Sequence, residues 1–334
     1  MGDKVLAMER KKALKKSIKL VVIIPAYNEA SSLPIVLKNI PKKLLGIKEV
    51  QVVVIDDGST DSTVDIAKSF NCIVISNGRN MGVGYSFQKG IEKAIELHAD
   101  ILVNMDADGQ FSPLDIEKLV YPILEGKADM VTASRFKDKT LTYKMPFIKK
   151  FGNKAFIYLI NTLTHKKFTD VTCGFRSYSK EAMLNLTVFG QFTYTQEVFL
   201  DLASKNMRII EVPIKVFPRT HGESKVTKSL LKYIFSSNLI VMKAFRDYQP
   251  LTFFGLIGMF FFSFGFFVNL ILFVRWIIKG VTSPYQTLIN VGIFAMILGF
   301  LLIVLSLIAD MLDRQRRMQE RILYYQRRNM NGFK

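Results

Sequence analysis

The sequence predicts an α/β domain with a mainly parallel sheet, followed by an amphipathic helix and a hairpin of two membrane-spanning helices. Two observations support this architecture. Short apolar runs alternate with helical stretches in the first part of the chain, and two uncharged apolar segments, Leu251–Val274 and Val281–Ala309, follow later. Alternating strands and helices favour a parallel sheet. Each apolar segment exceeds the roughly 20 residues that a helix needs to cross a bilayer.

The individual elements follow from the spacing of the apolar residues. Strands are predicted at Leu20–Ile24, Val50–Ile55, Cys72–Ile75, Ile101–Val103 and Met130–Ala133. Helices are predicted between them at Leu33–Ile40, Ser62–Phe70, Tyr85–Leu97 and Pro113–Leu124. Sheets of this kind bind ligands beyond the carboxyl ends of their strands, so a site is expected in the loops that follow the strands.

The apolar segments predict membrane spans at 251–275 and 286–309, joined by a short loop around Lys279–Tyr285. Basic residues flank the pair on its outer ends, at Lys243, Arg246, Arg314, Arg316, Arg317 and Arg321. Positive charge collects on the cytoplasmic side of membrane proteins. We therefore expect a multi-pass protein of the cell membrane with the catalytic domain and both termini in the cytoplasm. Two buried helices of a soluble core are the alternative.

The charge pattern divides the rest of the chain. The predicted parts are a basic segment at 1–17, a catalytic domain at 18–226, a juxtamembrane helix at 227–250, the two spans and a basic tail at 310–334. The N-terminal segment lacks the apolar core of a signal peptide. In the juxtamembrane helix, basic residues share one face, which is typical of a helix lying in the membrane interface. Packing on the catalytic domain is the alternative. We expect the basic tail to contact the interface as well, and a purely topological role is the alternative.

The formal net charge of +18 indicates an anionic partner, which could be nucleic acid, anionic lipid or a phosphorylated substrate. Because the apolar excess is concentrated near the C-terminus, the composition favours a lipid partner and argues against nucleic acid.

The two cysteines fit a reducing compartment. Together with three scattered histidines they form no zinc signature.

Two carboxylates, Asp106 and Asp108, follow the predicted strand Ile101–Val103, and Gly109 allows a tight turn directly after them. Hard oxygen ligands that also meet a phosphate suit Mg²⁺ or Mn²⁺. An isolated pair of this kind is also typical of a solvated turn. The context favours a site, because polar groups follow three other strands, at 25–29, 56–61 and 77–82. Together these loops predict one cleft with a carboxylate pair for a metal ion.

A dinucleotide site is the competing interpretation of Gly82-Val83-Gly84. The third glycine of that fingerprint is replaced by Phe87, and no acidic residue follows at the expected spacing. The sequence therefore argues against a Rossmann cofactor site.

The motifs, taken in order, resemble those of family-2 glycosyltransferases with the GT-A fold. They are Val22-Ile23-Ile24-Pro25-Ala26-Tyr27-Asn28-Glu29, Val54-Ile55-Asp56-Asp57-Gly58-Ser59-Thr60-Asp61 and Met105-Asp106-Ala107-Asp108-Gly109-Gln110. The later motifs, Ala133-Ser134-Arg135-Phe136 and Gly222-Glu223-Ser224-Lys225, and the membrane hairpin resemble the polyprenyl-phosphate glycosyltransferases, the group of the dolichol-phosphate mannose and glucose synthases.

This resemblance implies inverting transfer of a hexose from a nucleotide-diphosphate sugar, of the GDP-mannose or UDP-glucose type, to a dolichyl or undecaprenyl phosphate. It implies a nucleotide-sugar site formed by Pro25, Tyr27, Glu29, Ile55, Asp57, Asp106, Ala107, Asp108, Arg219 and Lys225. It further implies a Mg²⁺ or Mn²⁺ site at Asp106, Asp108 and Gln110, and a lipid-phosphate site at Arg135, Lys149 and Lys150. Asp108 and Arg135 would be the catalytic residues.

The chemistry fits a phosphate acceptor. An alcohol would need a general base, and no obvious His or Glu base follows the acidic turn. A lipid phosphate is already anionic and needs charge compensation instead. A membrane glycosyltransferase acting on another lipid or a cell-surface glycan, and a non-enzymatic scaffold, are the alternatives. Processive polymer synthesis is disfavoured because Gln-x-x-Arg-Trp is absent. A homo-oligomer is compatible with the sequence.

Overall fold

The computed structural model describes residues 17–138, 140, 154, 156–158, 160–162, 164, 166–187, 194–217, 242 and 245–330. The chain divides into two units, one formed by Met1–Ser237 with Leu323–Lys334 and the other by Asn238–Ile322. The first unit holds a mixed α/β structure and the second holds long apolar helices. Of the predicted juxtamembrane helix at 227–250, only residues 242 and 245–250 are described.

One sheet forms the centre of the first unit. Its strands are β1 Lys19–Ala26, β2 Glu49–Asp56, β3 Ile73–Ser76, β4 Ile101–Asn104, β5 Met130–Ser134, β6 Arg176–Ser179 and β7 Ile209–Pro213. Their order in space is β3-β2-β1-β4-β6-β5-β7. All neighbours pair in parallel except β6, which runs antiparallel to both β4 and β5. The predicted mainly parallel sheet is therefore confirmed.

Helices connect the strands of this sheet. They are α1 Leu33–Asn39, α2 Thr63–Ser69, α3 Val83–Glu96, α4 Ile116–Leu124, α5 Lys180–Asn185 and α6 Tyr194–Ser204, and a 3₁₀ turn at Pro113–Asp115 precedes α4. Every strand and helix predicted between residues 20 and 133 is present, with its ends displaced by a few residues. Of the strands and helices named here, β6, β7, α5 and α6 were not predicted. The sequence of β6, Arg-Ser-Tyr-Ser, contains no apolar run.

The core is built around β1, which lies between β2 and β4. Residues 20–24 of β1 have no exposed surface, as expected for a parallel strand that is covered on both faces. Helix α3 covers one side and approaches closely at Gly90, where a Cβ atom would lie 2.7 Å from Cδ1 of Ile23. The continuous apolar sequence of β1 thus places it at the centre of the sheet, with the carboxyl ends of β1, β2 and β4 at one edge.

The second unit contains most of two long apolar helices, α7 Pro250–Lys279 and α8 Gln286–Met330. Their most apolar 18-residue windows have mean hydropathies of 2.3 and 3.0, and only 11% and 22% of those windows are buried. Large apolar side chains are exposed along both helices, for example Phe260, Ile278 and Phe294. Both helices are long and apolar enough to cross a membrane, which agrees with the two predicted spans. No break in α8 separates the second span from the basic tail.

Glycines allow the backbones of α7 and α8 to approach. A Cβ atom on Gly265 would lie 2.4 Å from the carbonyl oxygen of Gly292, and one on Gly299 would lie 2.4 Å from the amide nitrogen of Phe262. A Cβ atom on Gly258 would lie 2.9 Å from the carbonyl oxygen of Gly299. Close backbone contact through small residues is the usual way in which helices associate in lipid. The two helices therefore form a hairpin that depends on these four glycines.

The end of α8 belongs to the first unit. The Nη1 atom of Arg327 donates to the carbonyl oxygen of Leu186 over 2.6 Å and lies 3.4 Å from that of Leu184. These carbonyls stand at the C-terminal end of α5, where intrahelical donors run out. Arg327 of the basic tail thus caps α5, and contact of the tail with the membrane interface stays a prediction.

The glycine seam gives a stability prediction. Gly299→Ala should lower the midpoint of thermal unfolding of the purified, detergent-solubilised protein, because the new methyl group has no space and the helices must separate. Gly255→Ala is the matched control, since its Cβ atom would meet only Ser306 Oγ at 3.7 Å. The control should match or slightly exceed the wild-type midpoint, because alanine favours helix more than glycine does. Equal midpoints for both variants would contradict the seam.

Candidate active site

The predicted loops do meet at one edge of the sheet. Ala26, the last residue of β1, pairs with Asp56 at the end of β2, and Asp56 in turn pairs with Ser76 at the end of β3. On the other side of β1, Ile23 pairs with Asn104, the last residue of β4. The loops after four parallel strands therefore start side by side, as the alternation of strands and helices predicted.

Asp56, the last residue of β2, and Asp57, which follows it, hold neighbouring loops in place. Asp56 accepts hydrogen bonds from the backbone nitrogen of Ser59 (2.9 Å) and from Oγ of Ser76 (2.7 Å). Asp57 is 5% exposed. It accepts from Asn77 Nδ2 and from the backbone nitrogens of Met81 and Gly82, each over 2.9 Å. The Asp57 carboxylate thus organises the loop that leads into α3.

The loop after β1 is tied to the loop after β2. The backbone nitrogen of Asn28 donates to Ser59 Oγ over 2.9 Å, and Oδ1 of Asn28 accepts from the backbone nitrogen of Thr60 over 2.8 Å. Asn28 has a φ of +52°, which asparagine tolerates better than most residues. The backbone nitrogen of Glu29 donates to Thr63 Oγ1 over 2.9 Å. These contacts fix one wall of the cleft.

The predicted nucleotide-binding residues on these loops differ in burial. Pro25, Tyr27 and Glu29 are half-buried, so part of each side chain reaches solvent. Ile55 has no exposed surface, and its Cδ1 atom would lie 3.2 Å from a Cβ atom on Gly90. The structure therefore places the first three at the cleft wall and Ile55 in the core beneath it.

The acidic turn follows β4 directly. Asp106 is half-buried and Asp108 is 7% exposed, with buried Ala107 between them. Gly109 has a φ of +70°, which allows the chain to reverse, and the backbone nitrogen of Gln110 donates to Asp108 Oδ1 over 3.0 Å. The turn closes through this hydrogen bond, which holds the Asp108 carboxylate against the backbone of Gln110.

The donor set of this turn fits a hard divalent cation. Mg²⁺ is usually bound by one or two carboxylates and completes its shell with water and substrate phosphate. Asp106, Asp108 and the side-chain oxygen of Gln110 offer such a set. Within the described ranges, no group of three or more His, Cys, Asp or Glu residues could enclose a metal by itself.

Arg135 forms a bidentate ion pair with Asp170. Its Nε and Nη2 atoms donate to the two carboxylate oxygens over 2.6 and 2.8 Å, and Nη2 also donates to Thr172 Oγ1 over 2.5 Å. The Asp170 side chain is fully buried, whereas 14% of the Arg135 side chain is exposed. The guanidinium thus compensates a buried carboxylate and presents only a small surface to solvent. Lys149, Lys150, Arg219 and Lys225 lie outside the described residues.

Glu211 on β7 supports the same loop, and sequence reasoning missed it. Its carboxylate accepts from the backbone nitrogens of Thr169 and Asp170, each over 2.8 Å. Burial raises the pKa of the Glu211 carboxyl group, although these hydrogen bonds oppose the shift. A glutamate within the apolar run Ile209–Pro213 was a visible signal, since a buried carboxylate needs partners.

Three further residues surround Asp106 and were also missed. Asn104 ends the otherwise apolar strand β4 and is fully buried. Its Nδ2 atom donates to the carbonyl oxygen of Gly174 over 2.7 Å and lies 3.4 Å from the Tyr194 hydroxyl. Burial, and then the charge of Asp106, raise the pKa of Tyr194 well above its usual value. A polar residue at the end of a buried strand was the only signal, and nothing marked Tyr194.

Comparison with known proteins agrees with this geometry. The family described as glycosyl transferase family 2 matches residues 21–186, which include the acidic turn. The UDP-N-acetylglucosamine–dolichyl-phosphate N-acetylglucosaminyltransferase of Methanococcus voltae is 32% identical over 244 residues, covering 67% of this chain and 96% of that protein. The chain belongs to glycosyl transferase family 2. The resemblance seen in the sequence motifs is thereby confirmed.

Two further proteins are also similar to this chain. The undecaprenyl-phosphate mannosyltransferase of Micrococcus luteus is 28% identical over 223 residues, covering 64% of this chain and 90% of that protein. The crystal structure of glucosyl-3-phosphoglycerate synthase from Mycobacterium tuberculosis with Mn²⁺, UDP and phosphoglyceric acid superposes with a TM-score of 0.55 at 20% identity, covering 71% of this chain and 80% of that chain. This family 2 chain therefore has the GT-A fold and is a glycosyltransferase.

Proposed function

We propose that the protein transfers a hexose, with inversion, from a nucleotide-diphosphate sugar to a polyprenyl phosphate, giving a lipid-linked monosaccharide for glycosylation. One combination carries the proposal: a carboxylate turn at the sheet edge and two lipid-compatible helices occur in the same chain. The relatives from Methanococcus voltae and Micrococcus luteus, named for dolichyl- and undecaprenyl-phosphate transfer, support this acceptor.

The donor would bind across the ends of β1, β2 and β4. Pro25, Tyr27 and Glu29 would line the base and ribose, with Asp57 holding the adjacent loop and Ile55 supporting it from the core. Ala107 would place backbone near the diphosphate, and Arg219 and Lys225 would close over it. A Mg²⁺ or Mn²⁺ ion bound by Asp106, Asp108 and Gln110 would neutralise charge that develops on the leaving diphosphate.

The acceptor would be anionic before it binds. A phosphate oxygen can attack the anomeric carbon without losing a proton to a base, so the chain needs to supply position and positive charge. Arg135 would supply part of that charge, with Lys149 and Lys150 beyond the same strand. Asp170 pairs with the edge of the guanidinium that carries Nε and Nη2, and the acceptor phosphate would approach the 14% of the side chain that is exposed.

The experiment that tests the proposal uses membranes containing the protein, supplied with added polyprenyl phosphate. Radiolabelled GDP-mannose, UDP-glucose and UDP-N-acetylglucosamine are offered separately, and the lipid extract is counted. Label that appears with one donor and depends on the added polyprenyl phosphate supports the proposal and identifies the sugar. Lipid label that is independent of it, or label in a polymer, would favour the alternative of a glycosyltransferase acting on another lipid or a cell-surface glycan.

Asp108→Asn should reduce transfer at least about a hundredfold while the protein stays folded. An amide lacks the negative charge that a divalent ion requires of its ligands. Metal stabilisation of a leaving group lowers the activation free energy by several kcal/mol, and each 1.36 kcal/mol of activation free energy changes the rate about tenfold. Transfer is measured over a Mn²⁺ titration, with the unfolding midpoint as a check. Asp115→Asn, which removes only a surface ion pair with Lys118, is the matched control. Near-normal transfer by Asp108→Asn in saturating Mn²⁺ would exclude Asp108 as a ligand.

The acceptor role of Arg135 needs a paired substitution. Removing Arg135 alone would leave buried Asp170 uncompensated, which costs roughly 3–5 kcal/mol of stability. The variant carrying both Arg135→Met and Asp170→Asn removes both charges and should fold. We expect its KM for polyprenyl phosphate to rise at least about tenfold, with donor affinity nearly unchanged. Asp170→Asn alone keeps the guanidinium and is the control. If both variants have the same KM for the lipid, Arg135 does not bind the acceptor phosphate.

We also propose that both termini and the catalytic unit face the cytoplasm. Ser283→Cys introduces a thiol in the loop between α7 and α8, which a membrane-impermeant maleimide should label from the non-cytoplasmic side. Background should be low, because burial raises the pKa of Cys173 to about 12 and also raises that of Cys72, so little thiolate exists at pH 7. The unsubstituted protein is the control. Labelling only from the cytoplasmic side would overturn this topology.

A further inference from the structure

The Asp106 carboxylate, Gly174 and the Tyr194 hydroxyl meet at one point. A Cβ atom built on Gly174 would lie 3.0 and 3.1 Å from the two carboxylate oxygens of Asp106 and 3.1 Å from the Tyr194 hydroxyl oxygen. No side chain fits there without displacing one of these groups. The Asp106 carboxylate and the Tyr194 hydroxyl therefore both lie against the backbone of Gly174.

Tyr194 itself is held firmly. It is 5% exposed, and its ring packs on Phe87 with the ring centroids 4.7 Å apart. Asn104, fully buried, contacts both the Gly174 carbonyl oxygen and the Tyr194 hydroxyl through its Nδ2 atom. Because Asn104 lies two residues before Asp106 on the same chain segment, the amide connects the end of β4 with both groups that surround the carboxylate.

Arg176 ties the same parts together from below. Arg176 is fully buried on β6 and pairs in register with Asn104 on β4. Its guanidinium donates to the carbonyl oxygens of Thr195 (2.7 Å) and Val171 (3.0 Å). Thr195 follows Tyr194, and Val171 lies in the loop that leads to Gly174. The segments that carry the tyrosine and the glycine are thus fixed to one buried cation.

We propose that Tyr194 is a positioning residue for Asp106, with Asn104 and Gly174 completing its shell. The hydroxyl dipole and the glycine backbone would restrict the carboxylate to orientations that face the cleft beside Asp108. This inference rests on the proposed metal site. Tyr194 would not contact substrate, because only 5% of it is exposed; its effect would pass through the orientation of one metal ligand.

The test compares two buried tyrosines. Tyr194→Phe removes the hydroxyl near Asp106. Tyr178→Phe removes a buried hydroxyl that has no hydrogen-bond partner among the described residues, although it interacts electrostatically with Arg176 and its ring also faces Phe87 at 5.9 Å. MnCl₂ is titrated into each purified protein with saturating UDP, and separately with GDP, and free Mn²⁺ is followed by electron paramagnetic resonance. Transfer rates are measured over the same Mn²⁺ range, so that the KM for Mn²⁺ and kcat are obtained separately.

We expect Tyr194→Phe to weaken Mn²⁺ binding about three- to tenfold, near the lower limit for loss of a group that orients a metal ligand. Its KM for Mn²⁺ should rise equally, with kcat at saturating Mn²⁺ within about twofold of wild type. Tyr178→Phe should match wild type. Gly174→Ala, which fills the shared space, should also weaken Mn²⁺ binding and serves as the second variant if Tyr194→Phe does not fold.

Three results would overturn the inference. Unchanged Mn²⁺ affinity in Tyr194→Phe with a lower kcat would mean that Tyr194 contacts the reacting groups. An equal loss in Tyr178→Phe would indicate general packing instead of positioning. The third result is a wild-type protein that binds no Mn²⁺ with either nucleotide and behaves like Asp108→Asn. The proposed metal site would then be wrong, and so would the positioning role of Tyr194. If the wild-type protein binds Mn²⁺, the first two results contradict only the positioning role and leave the proposed metal site intact.

Discussion

The hydrogen-bonded register of β1 with β2 and β4 is the constraint on which the site depends. It aligns Ala26 with Asp56 and Ile23 with Asn104, so the loops that follow these strands begin at fixed offsets. A slip of β4 by one residue would move the acidic turn by about 3.3 Å. Coordination distances near 2.0–2.1 Å tolerate no such displacement. The apolar burial of β1 therefore fixes not only the core but also the spacing of the loops that carry the proposed site.

A series of buried polar contacts also supports the acidic turn from the side of β5 and β7. Glu211 on β7 holds the backbone at Thr169 and Asp170, Asp170 pairs with Arg135, and the loop continues to Gly174 beside Asp106. Each buried polar group in this series has a partner, as the cost of leaving one unpaired requires. The acidic turn is consequently supported from both the parallel half of the sheet and the half that contains the antiparallel strand.

The sequence predicted the elements whose pattern is local. Five strands, four helices and two apolar spans carry periodic or continuous apolar residues, and the acidic turn follows a strand that ends in the core. The missed strand β6 reads Arg-Ser-Tyr-Ser and is buried only because β4 and β5 enclose it. Asp170 and Tyr194 come from segments far along the chain from Arg135 and Asp106. Pairings of this kind depend on tertiary contact, which no local spacing encodes.

The glycine seam of the hairpin has a consequence for protein engineering. Gly258 and Gly265 on α7, and Gly292 and Gly299 on α8, are each seven residues apart, so each pair lies on nearly the same helical face. Insertion of one residue between Gly292 and Gly299 would rotate the second glycine by about 100° away from its partner. Exposed apolar positions away from the seam can take a cysteine for crosslinking, whereas chimaeric hairpins must keep the length between the glycines as well as the glycines themselves.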